Sequence, residues 1–246
     1  MRYLIKTAII ILFSSFFIMP LYAMNRGDLR DECRRLLRDT DTTNQRWTDT
    51  VLNTRINYAQ KEFVKRTRCI EVSTYTTTIV GVSTYAINSS NILASRRVSY
   101  AIKPLTTTTT YYKEMEYMTK EGMDTKYPYW ESADGSDPKR YFYEADRIVI
   151  YPKPSTTTYA GYNFLKHEYY ALADDMDDDT DVPFNGLVYL YSYHETLKWY
   201  VCYLCAIDTN DTAAQSSFFG NFEKELGIAK SEFGDRPDKR GGFSVK

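Results

Sequence analysis

Histidine is nearly missing from this chain of 246 residues: His167 and His194 are the two. Two histidines without a nucleophile motif beside them do not make an acid–base or hydrolytic site. His194 falls on an apolar stripe of helical spacing and reads as a hydrogen-bonded core or interface residue, and His167 falls on a strand. Cysteine is sparse too, at Cys33, Cys69, Cys202 and Cys205, without the even framework of a disulfide-stapled domain. Cys202 and Cys205 form a CxxC. It lies inside the apolar run WYVCYLCAI with no second CxxC, so these read as buried packing residues rather than a redox or metal pair. A glycine-rich phosphate loop is lacking, and Gly241-Gly242 near the end does not supply one. The net charge of −1 gives no general attraction to nucleic acid or to an anionic membrane.

Long apolar runs are also scarce. One, Ala8–Met19, follows Arg2 and Lys6 and is broken by two serines. Residues 1–23 resemble a secretory signal with Ala23 at the cleavage point, and the run is short for a membrane span. The competing reading takes Met24 as the true start, because Asn25 can cap the next helix directly. Asn88-Ser89-Ser90 and Asn210-Asp211-Thr212 match glycosylation acceptors, which matter only on a eukaryotic secretory route.

What is present is 43% apolar residues and 23 tyrosines, with threonine in blocks. The strongest pattern is RWTDTVLNTRINYAQKEFVKRTR, ending at Arg68. Leu52, Ile56, Ala59 and Phe63 share one helical face. Thr48 caps the start, Trp47 and Leu52 have the spacing of a staple, and Asp49 and Lys65 complement the helix dipole. Before it, residues 25–39 carry a stripe of Leu29, Cys33, Leu36 and Leu37, with Asn25 as cap. Residues 39–46 are a polar connection, so the two helices read as a hairpin.

From Glu71 the period changes to two. Strands are expected at 72–82, 85–87, 92–102 and 159–169, with Pro104 ending the third, 106–112 as a stretch that can resume it, and a helical turn within 113–125. Residues 140–143 and 147–151 read as a hairpin, and the whole middle as an antiparallel sheet in a small sandwich or half barrel. Helical spacing returns from Leu187 to Ile207, capped by Asn185, and from Ala213 to Phe233. The expected fold is α+β: a helical bundle from N-terminal and C-terminal helix pairs with an inserted antiparallel β-rich domain. Its parts are 1–23 signal-like or misassigned, 24–70 first helix pair, 71–172 β-rich insert, 173–234 second helix pair and 235–246 basic tail. The expected bundle core comprises Trp47, Leu52, Ile56, Phe63, Leu197, Val201, Phe222 and Leu226.

Two clusters invite a functional reading. Six carboxylates lie within Asp174–Asp181, and Asp175, Asp177 and Asp179 are the weak metal candidates. The spacing fails as an EF-hand, because Thr180 and Gly186 stand where glycine and glutamate belong, so the bland reading is a solvated loop. The tail carries Arg236, Lys239, Arg240 and Lys246 with Phe243 and Val245 as apolar anchors. It is either a disordered end or a segment that orders against a portal protein or a neighbouring subunit. No cofactor and no catalytic residue is expected.

Three stretches carry a family resemblance. They are DLRDECRRLLRDTDTTNQRWTDTVLNTRINYAQKEFVKRT, IVGVSTYAI with ILASRRV, and RIVIYPKPSTTTYAGYNFLKHEY followed by acidic residues, a proline and two helices. Taken in order over residues 25–233, the chain resembles the head–tail adaptor (connector) proteins of tailed bacteriophages. One departure is visible. The family enters its third helix soon after an Asp-x-Pro segment with a histidine early in it, whereas His194 comes eleven residues after Pro183.

The resemblance implies a structural virion protein of the neck, without catalysis. It implies a homo-oligomeric ring, typically dodecameric, below the portal. Such a ring extends the DNA channel and docks tail or nozzle proteins. DNA passes without sequence-specific binding, and no membrane is involved in the mature form. Ring closure needs two different surfaces per subunit, which helices and sheet can supply. The alternative is a secreted or periplasmic β-rich binding module with a cleaved signal, which the leader favours. An enzyme using the acidic loop or the CxxC is a third reading.

Overall fold

A computed structural model of the chain describes residues 23–87, 91–106, 109–133, 137–154 and 164–233. The signal-like segment up to Tyr22, the Asn88 acceptor and the basic tail lie outside them. The described chain is mixed α/β, with five helices and two antiparallel-rich sheets. Two compact units form. One takes the chain up to Gln60 and Asp175–Glu225; the other takes Lys61–Asp174 and the chain from Leu226 on.

The first unit is helical. α1 spans Arg26–Leu37 and starts in a capping box: Asn25 Oδ1 accepts the Asp28 N–H at 2.8 Å, and Asp28 accepts the Asn25 N–H at 3.1 Å. It ends at Arg38, which turns left-handed with φ 56°. α2 spans Asp49–Thr67, and the Val51 N–H reaches Thr48 Oγ1 at 3.4 Å. α4 spans His194–Asp208 and α5 spans Thr212–Phe233. α1 packs on α4. Aromatic rings tie α2 to α4 through Tyr58 and Tyr200, with centroids 6.1 Å apart. Tyr200 and Phe222 (4.7 Å) and Tyr203 and Phe219 (4.8 Å) tie α4 to α5. Leu29, Leu52, Ile56, Leu197, Val201 and Phe222 have no exposed surface, whereas Trp47 is only half-buried.

The start of α4 corrects one expectation. Helical spacing from Leu187 suggested that an α-helix capped by Asn185 begins there. Instead 3-10 turns occupy Phe184–Gly186 and Val188–Tyr193, and the α-helix opens only at His194. Asn185 and Gly186 both have positive φ, 58° and 67°, which breaks any helix approaching the segment. A 3-10 turn keeps apolar residues three apart on one face, so spacing alone cannot separate it from an α-helix over two turns. His194 therefore stands at the opening of its helix.

The second unit holds eight strands among the described residues. They are β1 (Glu71–Thr77), β2 (Thr84–Ala86), β3 (Ile92–Thr106), β4 (Thr109–Glu114), β5 (Glu116–Tyr117), β6 (Arg140–Glu144), β7 (Arg147–Tyr151) and β8 (Phe164–Ala171). One sheet has the order β1-β8-β3-β4 and the other β2-β7-β6-β5. Among the described residues the one parallel pair is β5 with β6; the expected sheet was wholly antiparallel. The short helix α3, Lys120–Lys126, follows β5 with Thr119 as its cap.

Val98, Tyr100 and Leu165 from the first sheet meet Tyr141, Ile148 and Ile150 from the second. The second sheet's other face is covered too, because Met123 of α3 and Trp130 pack on Phe142 and Val149. This explains why β7 reads Ile148-Val149-Ile150 without alternation: both faces are buried. Pro104, expected to end β3, lies inside it. It sits between two register shifts against β4, and irregular pairing of this kind is where a strand tolerates a residue without an N–H.

Candidate functional site

Each cluster that the sequence singled out has a definite environment. The acidic loop is stitched to α1 and α2. Arg30 Nη1 and Nη2 donate to the two Asp179 oxygens at 2.8 and 2.7 Å, and Arg26 Nη2 adds a third bond at 3.0 Å. Hydrogen bonds from Arg30 and then Arg26 hold the Asp179 pKa down to about 2. Asn57 grips the Met176 backbone from both sides, accepting its N–H at 2.9 Å and donating to its carbonyl at 3.1 Å. Asp181 accepts the N–H groups of Asp177 and Asp178, each at 2.8 Å. Among the described residues no group of three or more histidine, cysteine or acidic side chains is placed to hold a metal. Of the three metal candidates, Asp179 has both oxygens engaged by arginine.

The CxxC lies deep in the helical unit. Cys33 of α1 joins Cys202 and Cys205 of α4, all without exposed surface and all free thiols. Burial pushes Cys205 up to about 11, although Arg55 opposes this by donating Nη1–H to its sulfur at 2.9 Å. The hydrogen bond with Cys202, and then burial, raises Cys33 as well. The thiolate, which is the reactive form, is suppressed in both.

His194 was expected to be hydrogen-bonded. It is fully buried between the rings of Phe184 and Tyr191, 5.7 and 5.0 Å away, and neither ring nitrogen makes a hydrogen bond of ordinary geometry. Burial pushes its pKa down to about 4, against a smaller upward pull from the Met24 backbone. The ring stays neutral at pH 7.

His167 has partners that its sequence neighbours do not announce. Its Nε2 contacts Ser95 Oγ, and the Tyr143 hydroxyl bonds the same serine. A serine against a histidine suggests a nucleophile, but the surroundings argue otherwise. Ser95 and His167 are 4% exposed between the sheets. The adjacent carboxylate, Glu168, is paired with Arg97 and Lys166. Burial pushes His167 down to about 4 and raises Tyr143. The trio reads as a satisfied polar pair across a core.

One shaped surface lies in the helical unit. A pocket of about 470 Å³ is lined by Leu36, Trp47, Cys205 and Phe218 together with Arg38, Arg46 and Asp211. Asp39 builds the wall. Its carboxylate is buried, pairs with Arg34 at 3.1 Å, and accepts the N–H groups of Arg46 (2.7 Å) and Trp47 (3.0 Å). Arg55 then stacks its guanidinium 4.6 Å from the Trp47 ring centre. The sequence marked residues 39–46 as a polar connection and left this role unseen. In the β unit, Ile79, Val80 and Val82 are exposed at a turn around Gly81, and Tyr129 is 81% exposed.

The chain matches the model of the SU10 adaptor protein family over residues 24–242 and belongs to that family of phage head–tail adaptors. No curated protein matches it. The family is structural, not enzymatic, and membership implies a virion component that meets phage portal and tail proteins. Among the described residues no helix is long and apolar enough to cross a membrane.

Proposed function

We propose that this adaptor forms a closed ring, with twelvefold symmetry, below the portal, where it lengthens the DNA channel and presents a docking surface to the tail. The observation that carries the reading is the family match over residues 24–242, which takes in both helix pairs and the β-rich insert. In this reading the N-terminal and C-terminal helix pairs form one bundle that frames the insert. The net charge of −1 suits a channel through which DNA must slide, since phosphate neutralisation by a basic wall would grip it.

The basic tail, with Arg236, Lys239, Arg240 and Lys246 and the apolar Phe243 and Val245, is the segment proposed to reach the portal or a neighbouring subunit. A reconstruction of the virion neck tests the reading. A ring of this chain against the portal supports it; density for this chain elsewhere, or as an isolated monomer, overturns it. Deleting residues 235–246 should weaken portal binding and leave the melting temperature unchanged.

A further inference from the structure

A ring made of one protein needs two unlike surfaces that fit each other, and the chain carries an exposed aromatic tip beside carboxylates and a pocket with exposed cations in its lining. The first is the Trp47–Phe218 pocket, whose lining mixes apolar side chains with Asp39 and Asp211 and includes the exposed cations Arg38 and Arg46. The second is the loop after α3. Tyr129 has the largest exposed fraction, 81%, of the apolar and aromatic side chains exposed among the described residues. It is held out by its surroundings. Trp130 is buried, donates Nε1–H to Asp124 at 2.8 Å and meets the Phe142 ring edge-on at 5.2 Å. The Trp130 N–H bonds the Tyr127 carbonyl at 2.8 Å, and the Ser132 N–H bonds the Tyr129 carbonyl at 3.1 Å. A loop so anchored loses little entropy when its tip is captured. Glu131, two residues on, and Glu121 of α3 are exposed and acidic.

We propose that Tyr129 of one copy seats in the Trp47–Phe218 pocket of the next copy, with Glu131 facing Arg46. The contact rests on the ring reading above. Charge selects this knob over the other apolar tip. Between Glu71 and Glu114 the sequence has no acidic residue, so the Ile79–Val82 turn carries no carboxylate of its own for Arg38 and Arg46. Size is consistent as well. A buried tyrosine covers about 150–250 Å², whereas a stable interface needs on the order of 1,000 Å². The knob is therefore an anchor within a larger contact, in the manner of an aromatic hot spot.

The test uses the full chain and two surface variants, a knob variant (Tyr129→Ala with Glu131→Arg) and a pocket variant (Arg38→Glu with Arg46→Glu), sized by mass photometry and sedimentation. The wild type should self-associate, and each variant alone should associate roughly thirtyfold more weakly or worse. Mixed one to one, the variants should form dimers that stop there, because each mixed pair has one working contact. The charge swap Glu131→Arg with Arg46→Glu should regain association. The contact is overturned if the variants associate like the wild type, if the mixture forms no dimers, or if the wild type stays monomeric at its highest soluble concentration. A neck reconstruction separates the two ideas: a ring in which Tyr129 faces solvent sinks this contact alone.

Discussion

The Asp39 carboxylate accepts the backbone N–H of Trp47 at 3.0 Å while buried against the Arg34 guanidinium. One acidic side chain thus closes the connection between α1 and α2 and sets the tryptophan in its pocket. Arg34 is also paired with Asp49 at the start of α2. Replacing Asp39 by alanine leaves Arg34, 6% exposed, with less compensation, and frees two backbone N–H groups. We expect Asp39→Ala to cost about 3–5 kcal/mol in a urea melt. A loss under 1 kcal/mol would show that Asp49 and solvent suffice.

Asp179 ties the acidic loop to α1, and its folded pKa of about 2 lies below the ordinary carboxylate value near 3.8. A depressed carboxylate contributes stability above its unfolded pKa, and that contribution fades as pH falls through the folded value. Wild type should therefore be more stable than Asp179→Asn at neutral pH, with the difference shrinking from about pH 4 to about pH 2. Melting temperatures of both proteins across that range check the sign. A constant gap would mean that shape, not charge, is what asparagine loses.

Both histidines are held near pKa 4 by burial, below the usual 6.5. Above pH 6.5 they are neutral folded or unfolded and have no effect. Below it the unfolded chain takes up protons that the folded chain refuses, so stability falls until about pH 4 and then levels. His194→Leu should flatten that slope. At pH 7 it should also stabilise by about 1 kcal/mol, because two unbonded ring nitrogens leave the core. An unchanged slope in urea melts would remove His194 from the account.

Ser95 bridges His167 and Tyr143 between the sheets. Ser95→Ala removes one hydrogen bond from each partner and leaves only the long Tyr143–His167 contact of 3.5 Å between them, which should cost about 1–3 kcal/mol. Hydrogen exchange should then speed up in β8 and β3, the strands that carry His167 and Ser95. If exchange rises only in the helical unit, the trio is not what steadies the sheets.

Much of the fold was legible because helix and strand periods are local. The Asn25 cap, the Thr48 cap and the Leu52–Ile56 stripe could be read from a few neighbouring residues, and the structure places them so. The reading failed where two geometries share a spacing. Leu187–Tyr193 satisfies a 3-10 turn as well as an α-helix, and the positive φ of Asn185 and Gly186 decides between them. Pro104 misled for a related reason: its cost depends on a register shift that pairing with β4 creates.

The sequence by itself determined the order of elements, the apolar faces and the family, since each is written in residues close along the chain. Only the tertiary structure decided what the polar residues do. Arg30 and Asp179 are 149 residues apart and Ser95 and His167 are 72 apart, so no periodicity links them. Burial then sets their chemistry: it keeps the Cys205 thiol protonated and turns the histidines into neutral core groups. The pocket beside Trp47 is likewise a product of folding, because Phe218 joins Leu36 there only once the helices meet.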